Sequence, residues 1–249
     1  MKDQDLAFAS ILRDGTRIYF ANFARFSGVA LLAQLPVLVL SVMDVLIPTD
    51  DPSGQSILGR LSGFASTIAL AITSAYLVPS VVSALGGAAA PRDVGPRISS
   101  ALGTAWLSNL AIGLGLLCFI VPGIVAGIYY CVAIPAAVVE GLKAGEAMKR
   151  SGALTEGRRG LALLLFVFYA LVFVGAMLAA YVPLFTLIAT ETTSGVATDP
   201  LTVILALLPP ILGAGLVSAY GACIFAVFYV RLREDKDGID AAAVASVFS

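Results

Sequence analysis

The chain has 249 residues, of which 59% are hydrophobic and 12% are charged, and its mean hydropathy is +0.97. Soluble domains carry about twice that share of charged residues, so this chain has too little polar surface to cover a core in water. We therefore predict an all-α, polytopic integral membrane protein, with the lipid bilayer as its solvent. The formal net charge of −1 argues against nucleic acid as a partner.

Residue types that carry chemistry are scarce. The sequence has no histidine, which removes the commonest general base and metal ligand. Its three cysteines, Cys118, Cys131 and Cys223, lie inside apolar stretches, which indicates small core residues and not a disulfide framework or zinc site. Paired carboxylates, a phosphate-binding loop and a nucleophile elbow are also missing from the sequence. We predict no enzyme activity, no catalytic residue, no metal and no cofactor.

The N-terminal segment is charged, and it is predicted to be amphipathic. Asp3, Asp5 and Arg13 interrupt it before any long apolar run, which is not typical of a cleavable signal peptide. Between residues 5 and 26, apolar side chains recur at helical spacing opposite the charged ones. This face carries Phe8, Leu12, Tyr19, Phe23 and Phe26. We predict a cytoplasmic interfacial helix within residues 1–27.

Six apolar runs are long enough to cross a bilayer, which takes about 20 residues each. They occupy about 28–47, 61–85, 101–121, 124–139, 161–189 and 201–230, and together form a predicted six-helix domain over 28–230 with a cytoplasmic tail over 231–249. Pro122 and Gly123 give a turn signal between the third and fourth runs. The last two runs exceed the hydrocarbon thickness, so we expect tilt, a kink or an extension beyond the membrane, with any break at Pro183 or at Pro209 and Pro210.

The basic residues indicate the orientation of these spans. Of the 15 lysines and arginines, only Arg60 falls on one side when six spans are assigned. The other basic residues precede the first span, follow the last, or lie in the loops after the second and fourth. Because cytoplasmic loops are enriched in lysine and arginine, we predict both termini in the cytoplasm. Merging the third and fourth runs would destroy this segregation.

The loop between the fourth and fifth runs is predicted to form a cytoplasmic surface helix over 141–156. Glu146 and Arg150 stand four residues apart in the order that favours a helical ion pair. Polar and charged residues of this loop and its flanks form the candidate interaction surface: Glu140, Glu146, Lys149, Arg150, Ser151 and Arg158.

Small and polar residues inside the spans predict close helix packing. Small residues let helices approach one another in lipid, and they leave a contact between copies of the chain open. The candidates for helix packing are Gly123 and Gly127 at the start of the fourth run and Ala214, Ser218 and Ala222 in the sixth. Uncharged polar residues such as Gln34, Ser108 and Asn109 are expected to join helices by hydrogen bonds and not to move ions.

One stretch of the chain resembles a known group of proteins. The resemblance is carried by Ile120-Val-Pro-Gly123, Ile134-Pro135, Val139-Glu140-Gly141, Glu146-Ala-Met-Lys-Arg-Ser151, Leu154 and Gly157-Arg158. These residues are similar to a bacterial family of six-span membrane proteins of unknown function, which includes the membrane domain fused to some glycerophosphoryl diester phosphodiesterases. The resemblance implies the six-span architecture, a characteristic surface helix and a bacterial inner-membrane location. It does not imply the enzyme activity, because that resides in a separate soluble barrel with histidine and acidic metal ligands.

Two functions stay open at this stage. The leading hypothesis is non-enzymatic envelope organisation or partner assembly, through a membrane-protein partner or a homo-oligomer. The alternative is a transporter or channel for a small apolar or lipid-like solute, because broken helices often line transport sites. Prolines in five of the six predicted spans motivate that alternative: Pro36, Pro79, Pro135, Pro183 and the pair Pro209 and Pro210. A membrane-embedded hydrolase ranks third.

Overall fold

The protein is described from a computed structural model that covers residues 7–47, 57–86, 94–194 and 199–237. Within these ranges every regular element is an α-helix, which confirms the predicted all-α class. In chain order the helices are α1 (Phe8–Ala21), α2 (Phe23–Ala33), α3 (Leu35–Leu46), α4 (Ile57–Ala84), α5 (Val94–Cys118), α6 (Ile120–Tyr130), α7 (Ala133–Glu140), α8 (Ala144–Thr155), α9 (Arg159–Ser194) and α10 (Pro200–Asp237).

Several helical segments are long and apolar enough to cross a membrane. In the described part of the chain, four pass this test: Ile57–Ala84, Val121–Glu140, Arg159–Thr190 and Pro200–Asp237. Helices α2 and α3 add a fifth if the bent pair counts as one span. The predicted span over 101–121 overlaps α5, which is not among these segments. The described chain thus has four segments, or five with the bent pair, that could span a membrane, whereas the number of six spans stays a prediction.

The first predicted span is bent by 42° at Gln34, between α2 and α3. Pro36 lies in the first turn of α3, where its missing N–H costs no hydrogen bond and its ring interrupts the helix before it. A second interruption, at Asn22, separates α1 from α2. The predicted amphipathic helix over residues 5 to 26 corresponds to α1 and the start of α2, its interfacial role stays a prediction, and residues 1–6 lie outside the described ranges.

Helix α1 packs its apolar side against the protein. Ile11 and Tyr19 are buried, and the ring of Phe8 lies edge-on against Phe168 of α9 with centroids 5.8 Å apart. A Cβ atom on Gly15 would lie 3.2 Å from the side chain of Ile224. The helix therefore crosses α10 closely, because glycine leaves room at the crossing. The sequence analysis missed Ile11.

The chain reverses its direction between α5 and α6. Phe119 is the only residue between the two helices and is extended, with φ −163° and ψ 153°. A Cβ atom on Gly115 would lie 2.8 Å from the backbone of Gly123, and one on Gly127 would lie 2.7 Å from the ring of Phe166. The structure thus places Gly123 and Gly127 at close helix contacts. The reversal comes a few residues before the predicted turn at Pro122.

The expected breaks in the last two runs are wrong. Helix α9 has 36 residues and continues through Pro183, and α10 has 38 residues and continues through Pro209 and Pro210. The excess length appears as an extension, because residues 231–237 of the predicted tail form the charged last turns of α10. The described helix therefore ends at Asp237, and the rest of the predicted tail lies outside the described ranges.

The buried core lies at one end of the bundle, around the C-terminal half of α10. The largest fully buried side chains there include Ile224, Phe228 and Tyr229 of α10, which pack with Leu77 of α4 and Leu154 of α8. Toward the other end, large apolar side chains of α9 and α10 are exposed: Leu171, Leu178, Phe185, Leu201 and Leu205. The helices are therefore packed tightly at the charged end and more loosely at the opposite end.

Candidate functional site

The loosely packed end of the bundle contains a cavity of about 500 Å³ between α3, α4, α5, α9 and α10. Polar members of its wall include Gln34, Ser41, Ser62, Asn109, Tyr169 and Ser218. A smaller cavity of about 200 Å³ adjoins it on the side of α6 and α7. The two share Leu70, Asn109, Tyr169 and Ser218 in their walls, so we treat them as one site.

The wall of this site is polar in places but uncharged. Its hydrogen-bonding groups are hydroxyls and amides, set among aliphatic and aromatic side chains. Among the described residues that line the two cavities, none is an aspartate, glutamate, lysine or arginine. Moving an ion into such a wall would cost several kcal/mol because no opposite charge replaces its water shell. The site therefore suits a neutral solute with an apolar body and a few hydrogen-bonding groups.

Ser108 gives the site a hydroxyl without a partner. Its side chain is 6% exposed and lines the smaller cavity, and its oxygen makes no hydrogen bond within the described structure. Several other serines in the bundle bond to a carbonyl one turn earlier, as Ser66 does to Ser62 at 3.0 Å, whereas Thr104 of α5 also has a buried hydroxyl without a partner in the described structure. A buried hydroxyl without a partner costs about 1–3 kcal/mol, so a ligand that bonded to Ser108 would regain that free energy.

The small-residue stripe of α10 faces this site. Ala214 lines the large cavity, Ala222 lines the small one, and Ser218 lines both. Closer packing involves Gly215 and Gly221, where an added Cβ would lie 3.1 Å from Gln34 and 2.5 Å from the Tyr169 ring. Ala214, Ser218 and Ala222 were predicted to pack against a neighbouring helix, but they border the cavity and their small side chains leave it wide. The close helix contacts are made by Gly215 and Gly221 instead.

The structure brings together three residues that the sequence analysis had assigned to helix contacts. Gln34 reaches the cavity from the break between α2 and α3, while Ser108 and Asn109 reach it from α5. Tyr169, which lines both cavities, was missed because one tyrosine in an apolar run gives no periodic signal. Of the cysteines, Cys131 lines the small cavity and Cys223 is buried. The side chain of Cys118 is outside the described part of the structure.

The predicted interaction surface is built differently from the expectation. The carboxylate of Glu146 accepts a hydrogen bond from the Lys143 N–H at 3.2 Å and so caps the start of α8. Arg150 instead pairs with Glu140 at 3.1 Å and with Asp237 at the end of α10. The predicted ion pair between Glu146 and Arg150 is therefore wrong, because Glu146 bonds to the N-cap of its own helix and Arg150 pairs with carboxylates outside that helix.

Most of that surface is occupied by contacts within the chain. Ser151 is fully buried and donates to the Tyr129 carbonyl at 2.7 Å, and Arg158 pairs with Asp235 at 3.3 Å. The Tyr229 hydroxyl donates to Glu140 at 2.7 Å. Only Glu146 and Lys149 of the six predicted residues are largely exposed. We name the contacts of Glu140, Arg150, Arg158, Tyr229, Asp235 and Asp237 the α8–α10 clamp.

Electrostatics reinforce this clamp. Partial burial alone would lower the pKa of Arg150, but its hydrogen bonds to Asp237 and Glu140 outweigh burial and raise that pKa. At the same end of the bundle, Arg231 of α10 pairs with Asp14 of α1 at 3.2 Å. The clamp and this pair therefore join the two terminal segments and the surface helix at one end.

Comparison of the chain with protein-family profiles, with curated proteins and with solved structures finds no match. The resemblance of the stretch from Ile120 to Arg158 to a family of six-span proteins therefore stays a prediction. In the structure this stretch forms α6, α7 and α8, which include the buried side of the α8–α10 clamp.

Proposed function

We propose that the protein is a non-enzymatic membrane protein that binds an uncharged, lipid-like solute in the cavity and moves it across the bilayer. The observation that carries this proposal is the neutral cavity with the unpartnered hydroxyl of Ser108 in its wall. A volume of about 500 Å³ falls in the range of small-molecule sites. The cavity thus favours the transport alternative over partner assembly.

The proposal includes six spans with both termini in the cytoplasm of a bacterial inner membrane. The chain reversal at Phe119 supports α5 and α6–α7 as two separate crossings, since Gly115 and Gly123 meet backbone to backbone. The pair between Asp14 and Arg231 supports a common side for both ends of the chain. The strong bias of lysine and arginine toward that side supports its assignment to the cytoplasm.

The looser packing at the far end supports access for an apolar molecule. The exposed apolar side chains of α9 and α10 there are compatible with lipid and incompatible with water. A solute that enters from this side would exchange lipid contacts for contacts with Tyr169, Phe173 and Leu207. It would also gain hydrogen bonds from the hydroxyls and amides of the wall, which lipid tails do not offer.

Reconstituted vesicles test this function. A fluorescent diacylglycerol analogue, which is neutral and carries one hydroxyl, is expected to cross faster in vesicles with the protein than in empty ones. Replacing Ser218→Phe fills the junction of the two cavities and should return the rate to that of empty vesicles. Leu212→Phe, on the exposed side of the same helix, is the matched control and should keep the rate. Equal rates of probe transfer with and without the wild-type protein, across neutral lipid-like probes, would contradict the proposal.

Partner assembly is the second candidate, and it rests on the exposed edge of α8. Glu146 and Lys149 point to solvent at the end where the charged residues gather. A partner or a second copy that docks there would be lost from crosslinked membranes after the double change Glu146→Gln and Lys149→Gln. Crosslinking patterns that do not change would count against this surface.

A further inference from the structure

We propose that a groove between α4 and α5 binds the headgroup of an anionic glycerophospholipid, with the guanidinium of Arg60 on the lipid phosphate. The groove has a volume of about 470 Å³. Its wall includes Arg60, Phe64, Thr67, Trp106, Asn109 and Leu110. The inference rests on the proposed function, because the groove adjoins the cavity and an anionic lipid held there would border the entrance that the neutral solute uses.

The groove and the cavity are continuous. Thr67 and Asn109 line both the groove and the 500 Å³ cavity, so a molecule seated in one reaches the wall of the other. Asn109 is exposed on α5 although it lies in an apolar helix. An amide in that place can bond to the ester groups of a glycerolipid, which lie next to its phosphate.

Arg60 supplies the positive charge that would bind the lipid phosphate. It lies in the first turn of α4, it is exposed, and within the described ranges it forms no ion pair. It is also the one basic residue of the chain predicted on the side opposite the cytoplasm, where basic residues are disfavoured. Arginine binds phosphate through two parallel N–H donors, and the bilayer surface is rich in phosphate.

The apolar side of the groove identifies the phosphate as part of a lipid. The rings of Phe64 and Trp106 are stacked with centroids 5.6 Å apart, and both are about half exposed. Tryptophan is enriched where headgroups meet acyl chains, because one edge of its ring is polar and the rest is apolar. A free phosphate would gain contacts from Arg60 alone, whereas a phospholipid also covers Phe64, Trp106 and Leu110.

The same wall favours an anionic lipid over a zwitterionic one. In the described part of the groove, Arg60 is the only charged side chain and no carboxylate is present. A choline or ethanolamine group would therefore find no partner there and would repel the guanidinium. Phosphatidylglycerol carries the phosphate without that cation, so it is the probe that the groove should prefer.

Trp106 allows a direct test, because it is the only tryptophan of the chain. The full-length protein is placed in vesicles of mixed phosphatidylglycerol and phosphatidylcholine, with bromine on the acyl chains of one lipid at a time to quench tryptophan fluorescence. The wild type should bind phosphatidylglycerol at the groove roughly two- to fivefold more tightly than phosphatidylcholine. Arg60→Gln should abolish this preference, and Arg60→Lys should keep part of it.

Quenching of Trp106 fluorescence also measures the control variant and the outcomes that would contradict the proposal. Arg13→Gln removes another exposed arginine, on α1, and should leave the preference unchanged. Equal quenching by both lipids in the wild type, or an unchanged preference in Arg60→Gln, would overturn the proposal. Loss of the preference on adding millimolar inorganic phosphate would show a free-anion site and overturn the assignment to a lipid.

The test also separates this inference from the proposed function. Ser218→Phe blocks the cavity but leaves the groove intact, so it should stop transport and keep the preference at Trp106. If the wild type prefers phosphatidylglycerol at Trp106 but does not transport the neutral probe, the proposed function is contradicted and the groove proposal is not. If the wild type transports the neutral probe but shows no preference for phosphatidylglycerol, the groove proposal is contradicted and the proposed function is not.

Discussion

Single glycines decide how closely the helices of this bundle approach. A Cβ atom on Gly115 would lie 2.8 Å from the backbone of Gly123, whereas one on Gly113, two residues earlier, would meet nothing within 4 Å. We expect Gly115→Ala to destabilise the protein by about 1–3 kcal/mol, because backbone cannot move aside as a side chain can. Gly113→Ala should be neutral or stabilise by up to about 1 kcal/mol. Thermal unfolding in detergent measures both, and equal midpoints would contradict the close contact.

A single hydroxyl links stability to binding at Ser108. Ser108→Ala removes a buried group that has no partner, so we expect the free energy of unfolding to stay equal or to rise by up to about 1 kcal/mol. The affinity for the neutral solute should fall by roughly fivefold or more, because a ligand hydrogen bond is lost. Ser80→Ala, which removes a hydroxyl bonded to the Tyr76 carbonyl, is the control and should leave binding unchanged. A large loss of stability in Ser108→Ala would show that the hydroxyl has a structural partner.

At the scale of helices, the α8–α10 clamp holds the surface helix to the bundle. Arg150→Met leaves Glu140 with the Tyr229 hydroxyl and Asp237 with the more distant Arg233, and we expect it to cost about 1–3 kcal/mol because the lost hydrogen bonds are charge-assisted and partly buried. The neighbour Lys149 is exposed, so Lys149→Met should change the free energy of unfolding little. Hydrogen exchange of the α8 amides should rise in the first variant alone. An equal effect of both changes would mean that the clamp does not hold α8.

The start of α10 responds to pH through Asp199. Hydrogen bonds from the Thr202 hydroxyl and N–H lower the pKa of this carboxyl below its ordinary value of 3.8. A group with a lowered folded pKa stabilises the fold above its unfolded pKa, and that contribution is lost as the pH falls through the folded value. We expect faster amide exchange in the first turn of α10 below pH 3.8, and at all pH values in Asp199→Ala. Exchange that is equally slow in Asp199→Ala would contradict the role of Asp199 as a cap.

The apolar runs of the sequence predicted where helices form better than its prolines predicted where helices break. Pro36 falls within the first turn of α3 and coincides with a bend, while Pro183, Pro209 and Pro210 lie inside continuous helices. The sequence does not distinguish these cases, because neighbouring helices can support a proline that removes one hydrogen bond. The pairing of Arg150 failed for a related reason, since its partner Asp237 is distant in sequence and reaches it only through the fold.

For the whole molecule, the difference between its two ends supports the proposed function. Charged and large buried side chains tie the helices at one end, and the neutral cavity opens where the packing loosens at the other. The sequence analysis singled out Gln34, Ser108, Asn109 and Ser218 but assigned them to helix contacts. Their meeting in one site could not be predicted, because three separate segments of the chain supply them.

The central claim is that this cavity holds a neutral, lipid-like molecule. It is tested most directly by native mass spectrometry of the full chain, purified in mild detergent, as wild type, Ser218→Phe and Leu212→Phe. We expect one bound neutral lipid-class molecule on the wild type and on Leu212→Phe, and none on Ser218→Phe, because the new ring occupies the junction of the two cavities. The same molecule retained by all three proteins would contradict the account, as would a stoichiometric protein partner with no bound lipid.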